Sequence, residues 1–145
     1  MKIQTRYHGE TEINDKDIIH FAKGIPGFPT ENEFVLLALP DQSLFTIMQS
    51  VHTAELAFVL TNPFGFINKY EFTLDDSTLE QLLIKSQEDI SIFAIVTVQD
   101  PFEKTTANLQ APIVLNLKNN EAKQVILNDS EYKIKHPLFT QLVKG

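Results

Sequence analysis

The chain has 145 residues, 43% of them apolar, enough for a single domain over 1–145 with a buried core rather than a disordered segment. It contains no cysteine, so disulfides, thiolate metal sites and cysteine nucleophiles are excluded. Nineteen acids oppose twelve Lys and Arg, and residues 1–131 hold all nineteen acids against nine bases, a formal charge of -10. Such a body repels phosphate, which argues against direct nucleic-acid binding and suits a basic protein partner, although acidity also serves solubility alone. No segment is long and apolar enough to span a bilayer, and Met1 to Arg6 lacks the hydrophobic core of a signal peptide. The expectation is a cytoplasmic protein, in which the sequon Asn128-Asp129-Ser130 carries no glycan.

In chain order, residues 2 to 7 alternate, with Ile3, Thr5 and Tyr7 on one face, and predict a half-buried strand ending at His8-Gly9. A polar stretch follows, then a short strand at Ile18 to Phe21 that runs into Lys23-Gly24-Ile25-Pro26-Gly27-Phe28-Pro29. Two glycines and two prolines there demand a rigid turn, with Ile25 and Phe28 expected to fold back over the core. Glu33 to Leu39 and Leu44 to Val51 read as a hairpin around the turn signal Pro40-Asp41-Gln42-Ser43. Leu56 to Leu60 is apolar on both faces and ends at Asn62-Pro63-Phe64-Gly65. Tyr70, Phe72 and Leu74 alternate with polar neighbours as another strand.

One helix is predicted, at about residues 77–87, opened by a capping box in which Ser77 and Glu80 bond reciprocally, with Leu79, Leu82 and Leu83 forming its apolar stripe. Ile92 to Val98 is apolar on both faces and reads as a central strand. A long polar crossing then leads through Asn108-Leu109-Gln110-Ala111-Pro112 into a partner strand, Ile113 to Leu117. Lys123 to Leu127 gives a last strand, and the tail from Tyr132 is weakly patterned. Eight or nine short strands and a single helix predict a mainly β fold, an antiparallel meander rolled into a small barrel.

The search for chemistry is mostly negative. His8, His20, His52 and His136 stand at no metal-ligand spacing, and although His8, Glu10 and Glu12 could share a strand face, a polar solvent edge explains them better. His20, in an apolar strand, reads as a core or rim residue. There is no nucleophile elbow, and Gly24-Ile25-Pro26-Gly27 lacks the lysine and hydroxyl of a phosphate loop. The acid pairs Asp75-Asp76 and Glu88-Asp89 flank the helix, where dipole and solvation account for them. No catalytic residue, cofactor or metal is expected. Phe64, Phe66 and Phe102 fall in turns, where they either cap the barrel or anchor a partner. Glu71, on the wet face of a strand, and Asp100 and Glu103, in the long crossing beside Phe102, are the candidates for meeting a basic partner.

Several motifs in order carry a resemblance. Phe21-Ala22-Lys23-Gly24-Ile25-Pro26-Gly27-Phe28, Met48-Gln49-Ser50, Ala57-Phe58-Val59 leading to Asn62-Pro63, Thr106 to Asn116, and Tyr132-Lys133-Ile134-Lys135-His136-Pro137-Leu138 together resemble the flagellar assembly factor FliW family. That family often has Arg where Lys135 stands, so charge is kept here but the bidentate fork is lost. Among the shared positions, Gly24, Pro26, Gly27, Phe28, Gln49, Ser50, Pro63, Asn108, Leu109, Ala111, Pro112 and Asn116 read as structural, with Asn108 expected to bond its own backbone. The resemblance implies a non-enzymatic cytoplasmic regulator and chaperone that binds flagellin and, alternately, the RNA-binding translational regulator CsrA. Flagellin occupies the factor until secretion depletes it, and the freed factor then relieves CsrA's repression of flagellin translation. The alternatives from the residues are a small-ligand-binding or enzymatic split barrel, which a deep polar pocket would favour, and a structural subunit.

Overall fold

The computed structural model describes residues 1–39, 42–67, 70–127 and 131–139. Ten strands are present among these: β1 (Lys2–Gln4), β2 (Glu10–Glu12), β3 (Ile19–Phe21), β4 (Glu33–Leu39), β5 (Gln42–Ser50), β6 (Ala57–Thr61), β7 (Ile90–Thr97), β8 (Thr106–Asn116), β9 (Glu121–Gln124) and β10 (His136–Pro137). A single α-helix, α1 (Asp76–Gln81), joins four short 3-10 turns. The ladder β8-β7-β6-β5-β4-β3-β9 closes on itself because β9 also pairs with β8, giving a seven-stranded barrel with β10 added outside on β8. Every barrel pair is antiparallel except β3 with β9, which run parallel. Closure satisfies both edges of what would otherwise be an open sheet.

Alternation sorts the side chains. Phe21, Ile19, Phe34, Met48, Leu60, Ile113, Leu115 and Ala122, one or two from each of six strands, fill the interior, with Phe93 and Ile95 of β7 against them. On the outer face, Ala94 and Val96 of β7 join Ala107 and Leu109 of β8 beneath Tyr70, Phe45, Leu138 and Phe139. β7 is therefore covered on both faces and lies between β6 and β8, as its doubly apolar sequence predicts. A third cluster tucks Ile3, Ile13 and Ile18 against Val35 and Val51, so the β1–β2 hairpin covers the outer wall of β4 and β5.

Several expectations are corrected. The first strand stops at Gln4, because Thr5 turns the chain: its amide and hydroxyl both donate to Gly9 O at 3.0 and 2.7 Å, leaving Tyr7 exposed. The Tyr70 to Leu74 alternation is not a sheet strand; among the described residues the segment joins no ladder. The helix is shorter than its apolar stripe, and its N-cap is Asp75 instead of Ser77: Asp75 Oδ1 accepts from Thr78 N at 2.8 Å, and Ser77 Oγ accepts from Gln81 Nε2. It stops at Leu82 because Asn116 Nδ2 donates to Leu82 O at 2.8 Å and Leu83 O at 3.3 Å, and Leu83 turns left-handed at φ 54° with its side chain in solvent. The polar crossing is also shorter than expected, since β8 begins at Thr106 and takes in Asn108 to Pro112. The expected turn at Pro40-Asp41, the sequon at Asn128-Asp129-Ser130, and Lys69 and Lys144 lie outside the described residues.

Candidate protein-binding surface

The Asn108 to Pro112 segment is a wide bulge in β8. Phe93 of β7 faces Ile113, but Ile95 faces Asn108, so a single residue of β7 spans four of β8. The extra backbone groups are all taken up. Asn108 Oδ1 accepts from Gln110 N and Ala111 N, both at 3.1 Å, so the side chain bonds its own backbone. Leu109 N donates to Lys133 O at 2.9 Å, and Leu109 O accepts from the Tyr70 hydroxyl at 2.6 Å. Gln110 O accepts from Leu127 N, Ala111 O from Gln124 Nε2, and Pro112 O from Val125 N. Pro112 has no amide to satisfy, and Leu109, fully buried, seats the bulge in the outer cluster. Burial, with Tyr132 as a lesser cause, pushes the Tyr70 phenol well above its usual range and keeps it a neutral donor.

The Gly24 to Phe28 segment is a tight turn in which Ile25 and Phe28 exchange backbone bonds of 3.2 and 2.6 Å around Pro26 and Gly27. Gly27 sits at φ 89°, as the third residue of such a turn requires, and Gly24 at φ 69° has Pro29 O only 2.5 Å from where a Cβ would stand. Ile25 is buried, but Phe28 is 41% exposed, its ring edge-on to Phe58, so half of the expected plug faces water. Gln49, fully buried, accepts from Arg6 N at 3.0 Å and directs its amide at the carbonyls of Ser50, Thr53, Ala54 and Leu56, tying down the β5–β6 connection. Ser50 Oγ accepts from Thr53 N at 3.0 Å and donates to Glu31 at 2.6 Å. Glu31, bonded by the Ser50 and Thr53 hydroxyls, is held below the usual carboxylate range. Pro63 opens a 3-10 turn capped by Asn62, and Asn116 ends α1 as described. Sequence patterning did not reveal this network: Gln49 and Ser50 bond mostly within their own β5–β6 connection, while the bonds of Gln49 with Arg6, Ser50 with Glu31 and Asn116 with Leu82 join residues far apart in the chain.

The partner-facing candidates fall in two places. Glu71 is exposed, its amide and carbonyl both held by the Tyr132 hydroxyl at 2.8 and 2.9 Å, and it lines an open groove of ≈ 1020 Å³. Its apolar lining comes from Phe72, Leu74, Leu79 and Ile84, from Ile90 and Ile92 on the outer face of β7, and from Phe64 at the rim. Asp100, Phe102 and Glu103 lie instead on the exposed connection from β7 to β8, where Phe102 packs against Phe45 and Phe139 at centroid distances of 6.0 and 5.1 Å. None of these three lines the groove. Of the turn aromatics, Phe66 is covered by Phe139, while Phe64 is 51% exposed at the groove rim and Phe102 is 43% exposed. Sequence reasoning missed the groove: of the apolar stripe expected at Leu79, Leu82 and Leu83, Leu79 alone lines it.

Elsewhere, His8 Nε2 meets Ala38 O at 2.9 Å and Glu12 pairs with the N-terminal amine at 3.1 Å. His20 is exposed and faces Glu33, which also pairs with His52. Among the described residues, no group of three His, Asp or Glu side chains is placed to hold a metal ion, and no helix is long and apolar enough to cross a membrane. Among the described residues, the barrel interior is packed with apolar side chains, which counts against a small-ligand site there.

These features define a small closed β-barrel with a filled interior and an apolar-lined groove on its outer wall. The chain belongs to the FliW protein family, whose profile matches residues 2–138. Its relatives include the flagellar assembly factor FliW of Geobacillus kaustophilus, 54% identical over 99% of both chains, and that of Bacillus subtilis, 50% identical over 95% of this chain and 96% of the other. A crystal structure of the flagellar assembly factor FliW superposes with a TM-score of 0.92 at 54% identity, covering 96% of this chain and 97% of the other.

Proposed function

We propose that this chain is a non-enzymatic, cytoplasmic flagellar assembly factor that binds flagellin and antagonises CsrA by partner switching, thereby relieving repression of flagellin translation. Family membership across residues 2–138 carries the reading. The acidic body supports it, because residues 1–131 at -10 complement a basic RNA-binding protein and repel RNA from the complex. Glu71, Asp100 and Glu103 supply charge for that contact and Phe102 an apolar anchor, all four being exposed. Purified chain mixed with flagellin and with CsrA at low and at high salt, followed by size-exclusion chromatography, tests the proposal. A complex with each partner, and displacement of CsrA by flagellin, is expected; no complex with either overturns it.

A further inference from the structure

A strap formed by residues 131–139 takes no part in closing the barrel. The ring β8-β7-β6-β5-β4-β3-β9 is complete without β10, and neither the interior cluster nor the cluster beneath β1 and β2 contains a strap residue. Its contacts run along the outside of β8 instead. At one end the Tyr132 ring meets Tyr70 edge-on at 4.6 Å, and its hydroxyl bonds Glu71 N and O. Leu109 N then donates to Lys133 O at 2.9 Å, His136 and Pro137 pair with Ala107 and Thr106, and Leu138 N donates to Thr105 O at 3.2 Å. At the far end Leu138 and Phe139 are buried in the outer cluster, Phe139 against Phe66 and Phe102. A segment outside both the ring and the interior opens at a lower free energy than the barrel does.

What the strap covers is a strand edge. β9 takes the edge of β8 from Ile113 to Asn116, which leaves the stretch from Thr105 to Leu109 to the strap. Beneath it lie Ala94, Val96, Ala107 and Leu109, all buried, in the cluster that Leu138 and Phe139 join. Ladder groups beside an apolar surface are what an added strand uses. The strap itself shows the pattern that fits: Tyr132 at one end, exposed Lys133, Ile134 and Lys135 between, and the buried pair Leu138-Phe139 at the other. We propose that the Thr105 to Leu109 edge of β8 is a strand-accepting site that the chain's own strap keeps occupied. A partner segment of the same pattern, extended, with an aromatic residue at one end and an apolar pair at the other, binds there by displacing the strap.

The test uses the full chain, its Tyr132→Phe variant and a fluorescein-labelled peptide of residues 131–139, read by fluorescence anisotropy. The variant loses both hydroxyl bonds to Glu71 but keeps the ring, so the open state gains population and the apparent affinity for the peptide rises with it. Saturable binding is expected, about tenfold tighter to the variant, the worth of one or two ordinary hydrogen bonds. A peptide of the same composition in scrambled order should not bind. No saturable binding to the variant, equal affinity for the two chains, or equal binding of the scrambled peptide overturns the proposal. Hydrogen exchange on the unaltered chain at saturating peptide gives a second readout. Leu138 N should exchange faster, because the displaced strap loses the Thr105 carbonyl, while Leu109 N stays protected under the incoming strand. Faster exchange at both, or at neither, refutes displacement. The probe is neither flagellin nor CsrA, so its failure would leave complexes with those proteins standing, and their failure would leave the β8 edge standing.

Discussion

At the scale of single residues, Asn108 bonds the backbone of its own bulge. Asn108 accepts from two amides inside the bulge, and an alanine there leaves both without an acceptor in partly buried surroundings. Asn108→Ala should therefore lower unfolding stability by about 1–3 kcal/mol in urea titration, whereas Asn108→Asp, which keeps the acceptor, should recover most of it. A variant that stays at full stability but no longer binds partners would show that the residue is a contact. Glu31 behaves similarly through charge. Its carboxylate is stabilised first by Ser50 and then by Thr53, so its folded-state pKa lies below the unfolded value of 4.5. That contribution is complete above the unfolded value and is lost as pH falls through the folded one. Ser50→Ala should accordingly flatten the acid limb of a stability-against-pH curve; an unchanged limb would remove Glu31 from the account.

At the scale of elements, caps and local competition decide what alternation suggests. The sequence contains a capping box at Ser77, yet Asp75, two residues earlier, takes the Thr78 amide and the box never forms. Asp75→Ala should lower the melting temperature, and Ser77→Ala should lower it by less than half as much. Equal losses would restore the box. β10 is the other instructive element: it adds His136 and Pro137 outside the barrel on Ala107 and Thr106. Burial, and secondly Lys133, holds the His136 imidazole below its usual value of 6.5. A depressed histidine is bound neutral in the folded state, so stability is complete above 6.5 and falls as pH drops below it towards the folded value. His136→Phe should reduce that slope; hydrogen exchange at Ala107 checks whether the loss is local to β10.

At the scale of the whole molecule, the barrel is a closed scaffold and the acidic surface is its exterior field. Complexes with a basic partner should form faster at low ionic strength and weaken as salt rises, because the Debye length shortens to about 8 Å near 0.15 M. Reversing Glu71, Asp100 and Glu103 together should reduce both the association rate for CsrA and its salt dependence, without a change in melting temperature. Surface plasmon resonance across a salt series measures both, and an unaltered rate would place the contact elsewhere. The division of the four candidates between groove and β7–β8 connection makes the single variants informative as well.

The sequence by itself determined the strands of the barrel, the double burial of Ile92 to Val96, the turn at Gly24 to Phe28 and, through its ordered motifs, the family. Each of these rests on local physics: period-two alternation, glycine and proline restriction, or residues adjacent in the chain. Tertiary structure alone decided that Asn108 to Pro112 bulges within a strand, that Tyr70 to Leu74 forms no ladder, that Asn116 ends the helix, and that a parallel β3–β9 pair closes the ring. Alternation reports which side chains are buried but not which backbone neighbour takes each amide and carbonyl. Those partners come from Tyr70, Gln124, Leu127 and Lys133, well separated from the bulge in sequence, and only the fold brings them to it.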